Sequence, residues 1–566
     1  MVNLKSAPFY LNDTDIQWVH ETLNAMTLEE KVGHLFCPVG LNSDQTFLGN
    51  LIHKYQPAGI MFRPGTSTEV QETHRFLQST SKIPMLIASN LESGGNGSSL
   101  EGTEFGTPML VAASGDIQHA KNLGTVCATE GQALGCNWAF APVVDLDLNF
   151  HNPITNTRTF GSNVETVKTF ASTFIRTVQA NGMATAIKHF PGDGTDFRDQ
   201  HIALTFNHLS YDEWDKTYGD IYRTMIAANT LSVMTGHIAF PAYSKMQNPE
   251  ILEKDILPAS LSPELLQGLL RDKLGFNGVI VTDATPMVGF TSVMPRHLAV
   301  PKAIAAGCDI FLFNKDLDED FRFMLQGIES GILSLERVND AVTRTLAMKA
   351  ALKLHLVASD KRVPNSTVLE VVGCAQHKNL AATCADDAIT LVKDSADLLP
   401  IHLTSHPRLL VFTLTDDGDF FGHKNSVFDA AIERLKQEGF EITQFDPAKF
   451  TMRDMSLTVD SVRANYDCVL YFSNIKPASN KTSLRLNWAR PMGINAPWFS
   501  AEIPTIFVSF GSPYHLVDVP RVSTYINAYV GTDTVIQKTI DKLLGKSEFK
   551  GKNPVDPFCG LWDTRI

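Results

Sequence analysis

The chain of 566 residues contains no run that approaches 18 apolar residues, so no membrane-crossing helix is expected. Its start, MVNLKSAPFYLNDTD, lacks a basic segment followed by an apolar one and does not read as a secretory signal. No Gly-x-Gly-x-x-Gly follows a candidate strand, and no Gly-x-x-x-x-Gly-Lys-Ser/Thr occurs, so dinucleotide and P-loop sites lack their signatures. Basic residues are outnumbered, 48 Lys and Arg against 61 Asp and Glu, for a net charge of −13. With an acidic surface and no basic stripe interleaved with aromatics, nucleic acid is not an expected partner. The eight cysteines are scattered at 37, 127, 136, 308, 374, 384, 468 and 559, with no Cys-x-x-Cys pair. That spacing supports neither a structural zinc site nor a disulfide scaffold and suits reduced core thiols in a cytoplasmic protein. No resident cofactor or metal is expected.

What is present is apolar content of 44% with only 19% charged residues, an ordinary globular balance over a length of two to four domains. Over the first 350 residues, short Val-, Ile- and Phe-rich runs alternate with longer amphipathic stretches. The expected strands are 57–63, 83–89, 138–146, 184–190, 231–238, 278–284 and 308–314. Each is nearly continuous in hydrophobicity, as a strand buried on both faces should be. Seven or eight strand-then-helix units in this length predict a (β/α)8 TIM-type barrel over residues 1–355, closed by the amphipathic stretch 333–354. Residues 356–385 read as a linker. Residues 386–566 carry RLLVFTLT, YDCVLYFSN and IPTIFVSFG with helical stretches between them, which predicts an α/β domain of αβα sandwich type.

Three strand ends hold polar clusters, on the rim where a barrel builds its site. The first is KHFPGDGTDFRDQH, Lys188 to His201, in which a Gly-rich loop ends in Asp199-Gln200-His201. An Asp beside a His fixes its tautomer and raises its basicity, the logic of a general base and its orienting partner. Read structurally, the same segment is a Gly-Pro turn with solvated charges. In the second, GFNGVIVTDATPM, Asp283 follows a fully apolar strand and suits a nucleophile or base, or a helix N-cap. In the third, NPITNTRTFG, Arg158 suits a grip on hydroxyls or an ion pair with Asp145 or Asp147.

Together the clusters resemble glycoside hydrolase family 3, in the branch of NagZ-type bacterial β-N-acetylglucosaminidases. MTLEEKVGHLF, IASNLESGGNG, GCNWAFAPVVDLDLN, RTFG, KHFPGDG, VMTGHIAFPAY, PASLS and GFNGVIVTDA follow the family's order, and AITLVKDSADLLPI and GKNPVDP resemble its C-terminal domain. The resemblance implies Asp283 as nucleophile of a retaining mechanism, His201 as general acid/base and Asp199 as its partner. It implies Lys188, His189, Arg158 and His237 as contacts to sugar hydroxyls, with Glu92 as the acidic sugar-gripping residue. The chain departs from the pattern at SNLESGG, where an Asp-x-Glu-Gly-Gly is usual, and at Asp193, where a His is usual, which leaves glucose against N-acetylglucosamine open.

A His acid/base is neutral after giving up its proton, whereas a carboxylate would be anionic. Two like charges about 4 Å apart at an effective dielectric of about 20 cost roughly 4 kcal/mol, so a His permits inorganic phosphate as acceptor. The expected function is a retaining β-glycoside enzyme that passes the glycosyl group to phosphate, with hydrolysis by water as the alternative. A non-catalytic sugar-binding protein and a metal-dependent barrel hydrolase built on His189, His201 and His237 are the other readings. The expected partner is a small β-glycoside, with a homodimer left open. The loop 483–498, with Arg485, Trp488, Arg490 and Trp498, suits either a reach towards an active site, that of a neighbouring subunit included, or a packed surface position.

Overall fold

The computed structural model describes residues 2–416, 427–446, 458–488 and 493–566. It comprises two compact units, Met1–Phe105 with Ala120–Asn152 and Val164–Lys378, and Gly106–His119 with Pro153–Asn163 and Asn379–Ile566.

The first unit is built on eight parallel strands. These are β1 (Phe36–Cys37 and, past Pro38, Val39–Gly40), β2 (Gly59–Phe62), β3 (Leu86–Ser89), β4 (Trp138–Ala139), β5 (Ala184–Phe190), β6 (Ser232–Thr235), β7 (Val279–Thr282) and β8 (Phe311–Leu312). Each pairs with the next, as in Val39 with Met61, Gly59 with Leu86, Ala186 with Ser232 and Ser232 with Val279. Val281 bridges to Ile310, and Phe36 pairs with Phe311, so the ring closes as a (β/α)8 barrel. Almost every strand residue is buried, which is why these strands read as unbroken apolar runs. The sequence reading contains no strand before residue 57; β1 is too short and too interrupted by Pro38 to carry a periodicity. The run 138–146 keeps a ladder only over Trp138–Ala139, because Pro142 has no N–H to give; beyond it, Val143 makes a single bridge to Lys188.

Helices return the chain between strands. Val164–Ala180 buries Val167, Phe170, Phe174, Ile175 and Val178 on one stripe, the spacing that made it legible as a helix. Leu335–Ala351 closes the barrel, and the expected linker contains single turns followed by the helix Ala375–Ala388. Among the described residues no helix is long and apolar enough to cross a membrane.

Among the described residues the second unit is built on a six-stranded sheet of β9 (Thr390–Asp394), β10 (Arg408–Thr415), β11 (Glu441–Gln444), β12 (Cys468–Asn474), β13 (Thr505–Ser509) and β14 (Thr524–Asn527). The order is β9-β14-β13-β12-β10-β11, parallel except for β9. β12 and β13 are buried along their whole length, so both faces of the sheet are covered. On one face, Phe412, Tyr471, Phe507 and Tyr525 stack in turn with ring centroids 4.6, 5.8 and 5.5 Å apart. In the loop 483–498, Leu484 and Leu486 belong to this core and Trp488 packs against it. Arg485 pairs with Asp518, and Trp498 is exposed; Arg490 lies outside the described residues.

Candidate active site

All eight strands run in one direction, so their carboxyl ends and the loops that follow share one rim. The richest end is that of β5. Past Lys188 and His189 the chain turns through Pro191, and Gly192 stands at φ +119°, where a Cβ would meet the Tyr218 ring at 2.2 Å. The indole N–H of Trp214 donates to Pro191 O at 2.7 Å, and Tyr218 Oη donates to Asp193 O. The loop is stapled further by Asp196, which takes two bonds from the Arg198 guanidinium at 3.0 and 2.7 Å and one from the Phe206 N–H at 3.0 Å. An apolar, aromatic floor thus carries a polar loop out to Asp199 and His201.

Asp283 directly follows β7 and is 8% exposed. Its Oδ1 accepts the Ala284 N–H at 2.7 Å, while its Oδ2 has no hydrogen-bond partner among the described residues. His189 Nε2 lies 3.8 Å from Oδ2. Burial pushes the carboxyl up, but His189, His237 and His201 and the Ala284 N–H outweigh it and hold Asp283 below the usual carboxylate range. An ionised carboxylate with one oxygen unencumbered is what a nucleophile requires.

Two Asp–His pairs flank it. Asp145 is fully buried; its Oδ2 accepts from His189 Nδ1 at 2.7 Å and its Oδ1 from the backbone N–H of His189 at 3.0 Å and of Asp193 at 2.8 Å. An ionised carboxylate only accepts, so His189 carries its proton on Nδ1 and turns Nε2 to Asp283. Asp199, also fully buried, accepts from His201 Nδ1 at 2.6 Å and from the His201 N–H at 2.9 Å. The His201 side chain, 23% exposed, is the most open of the group. A proton held on Nδ1 by Asp199 leaves Nε2 as the atom that exchanges protons with a substrate.

Lys188 and Glu92, both assigned to the sugar, form an ion pair with each other at 2.6 Å, Lys188 4% and Glu92 14% exposed. Glu92 sits in the loop after β3, whose Gly95 lies so close to the buried Glu130 that a Cβ would meet Oε2 at 1.9 Å. His237 is fully buried, with Nδ1 at 2.9 Å from Ser260 Oγ and Nε2 at 3.0 Å from Ala284 O. A carbonyl only accepts, so Nε2 carries the proton, and burial pulls this imidazole down to about 4. Both nitrogens of His237 are engaged within the protein. Arg158 falls in the second compact unit, whereas the other seven expected residues lie in the first.

Sequence reasoning connected Asp145 only with Arg158; its place as the anchor of His189 and of the loop turn was missed. A carboxylate directly after APVV, on the segment beside KHF, was the available signal. Asp193 is buried, and burial, followed by the negative charges of Asp145 and Asp199, pushes its carboxyl well above the usual range. Among the described residues no group of three or more His, Cys, Asp or Glu is arranged to hold a metal ion.

Comparison with known proteins agrees with this frame. Residues 27–348 match the glycosyl hydrolase family 3 N terminal domain. A β-N-acetylglucosaminidase/β-glucosidase of Cellulomonas fimi is 44% identical over 568 residues, covering 100% of both chains. Beta-hexosaminidase A of Pseudoalteromonas piscicida is 30% identical over 67% of each chain. Among solved structures, the beta-glucoside phosphorylase BglX bound to 2FGlc superposes with a TM-score of 0.94 at 41% identity, over 99% of each chain. A family 3 β-N-acetylglucosaminidase from Paenibacillus sp. str. FPU-7, at 24% identity and a TM-score of 0.78, over 95% of this chain and 100% of that one, shares the fold. With a family model over more than half of its length and a full-length relative at this identity, the chain belongs to glycosyl hydrolase family 3 and is one of its enzymes.

Proposed function

We propose that the protein is a retaining β-glycoside phosphorylase acting on a β-glucoside or β-N-acetylglucosaminide. Asp283 Oδ2 attacks the anomeric carbon while His201 Nε2 gives its proton to the departing oxygen, so the C1–O bond breaks as the C1–Oδ2 ester forms. A phosphate oxygen then attacks the same carbon, the ester bond breaks, Asp283 returns as carboxylate and the phosphate proton passes to His201. Two displacements at one carbon restore the starting configuration, giving a β-sugar 1-phosphate. Lys188 and Glu92 offer a charged donor and acceptor for hydroxyls, and His189 stands beside Asp283. No resident cofactor takes part, and a cytoplasm rich in phosphate suits the acceptor.

The observation that carries this reading is the Asp199–His201 pair at 2.6 Å. Once deprotonated, its imidazole is neutral and leaves the anionic acceptor unopposed. The 41% identity to a beta-glucoside phosphorylase supports it. Hydrolysis, with water activated by His201, is the second reading, favoured by the 44% identity to an enzyme named as a β-N-acetylglucosaminidase/β-glucosidase. The test compares aryl β-glucoside and aryl β-N-acetylglucosaminide, each with and without phosphate, by phosphorus NMR. Phosphate is expected to accelerate turnover and to appear as the β-sugar 1-phosphate. Free sugar alone, at a rate indifferent to phosphate, would make the enzyme a hydrolase.

A further inference from the structure

A Gly-rich loop that ends in a proton donor invites the expectation of a mobile acid/base. The contacts of Gln200, between Asp199 and His201, say otherwise. Gln200 is 1% exposed, and its Oε1 accepts the His237 N–H at 2.7 Å. Its backbone carbonyl accepts the Gly289 N–H at 3.1 Å, and that of His201 accepts the Val288 N–H at 3.0 Å. Val288 and Gly289 open the short helix Val288–Thr291 that follows Asp283. A Cβ on Gly289 would meet Gln200 O at 2.7 Å and the His237 Cβ at 3.0 Å, so the loop packs directly on backbone there. His237, gripped by Gln200 through its N–H, donates from its ring to Ala284 O at 3.0 Å, and Ala284 N–H donates to Asp283 Oδ1 at 2.7 Å.

We propose that Gln200 is a positioning residue that clamps the acid/base loop, through His237 and Gly289, to the same backbone that carries Asp283, so that His201 and the nucleophile stand at a fixed separation before substrate arrives. The proposal rests on the reading of His201 as acid/base. A displacement of about 1 Å in a catalytic group costs on the order of 100-fold, and the cost falls only on the step that needs a proton.

The test is Gln200→Met, which keeps length and removes the acceptor, made in the wild-type and in the His201→Ala background. Gln200→Met is expected to lower kcat/KM on an alkyl β-glycoside by about 30- to 100-fold and on a dinitrophenyl β-glycoside by less than about threefold. In the His201→Ala background it should lower neither further. Equal loss on both substrates, or the same factor with and without His201, overturns the proposal. If Gln200→Met does not fold, Gln200→Glu, which retains an acceptor oxygen, is read instead: its alkyl-to-dinitrophenyl ratio should stay within about threefold of wild type, and a larger fall overturns the proposal. If His201→Ala alone loses both substrates equally, the acid/base reading itself fails and this proposal falls with it.

Discussion

Replacing Asp283 with Asn tests the centre of the site with little change in shape. The amide oxygen still accepts the Ala284 N–H, now 2.7 Å from Oδ1, and no hydrogen bond at Oδ2 is lost because none is made there among the described residues. The fold should therefore hold, with a melting temperature within about 3 °C of wild type, the span of roughly one hydrogen bond in a domain of this size. Catalysis should not hold. The carboxylate is only 8% exposed, and the cationic character that develops at the anomeric carbon lies about one van der Waals contact away. At about 4 Å and an effective dielectric of about 20, losing that charge costs roughly 4 kcal/mol, nearly three decades in rate, before the loss of the covalent route is counted. The assay is release of the aryl group from a dinitrophenyl β-glycoside, whose departure needs little protonation, so that the reading isolates Asp283 from His201. Azide added to the variant should give a glycosyl azide of inverted configuration by single displacement. Turnover above about a thousandth of wild type, in a folded variant and without azide, would refute the assignment.

His201→Ala should spare the dinitrophenyl glycoside in the glycosylation step while slowing alkyl glycosides by about 100- to 10,000-fold, read as kcat/KM on the two substrates; equal losses would remove His201 from proton transfer. Asp283 is active as the carboxylate, and its folded pKa lies below the usual value, so protonation removes activity only as pH falls through that depressed value. The kcat/KM of wild type on a dinitrophenyl glycoside should then stay level from about pH 8 down to about pH 5, and an acid limb with a midpoint above about pH 5 would contradict the ionised nucleophile. Asp145→Ala strands the His189 ring and two backbone N–H groups in a buried site and should cost about 3–5 kcal/mol of stability, measured by urea denaturation with activity followed in parallel; a midpoint unchanged from wild type would mean that water replaces the carboxylate there.

β5, β7, β12 and β13 were legible because strands buried on two faces are written as continuous apolar runs, whereas β9, β11 and β14 of the second sheet were not read from the sequence. Asp283 and the Asp199–His201 pair were legible for a related reason: a polar residue at the end of such a run must sit on the rim, and residues two apart in a turn can meet without help from the rest of the fold. β1 was not legible, since two residues on either side of Pro38 hold no period and become a strand only when β2 and β8 supply their hydrogen bonds. The pairing of Lys188 with Glu92, across 96 positions, and of His189 with Asp145, across 44, depends on which strands lie side by side, and no local pattern records that. The same holds for His237. Its residue type admits a sugar contact, but with both ring nitrogens taken by Ser260 and Ala284 the tertiary structure turns it towards the backbone of the nucleophile. Sequence alone determines which residues stand at strand ends, through burial and period; hydrogen bonds between distant strands decide which of them face substrate and which face each other.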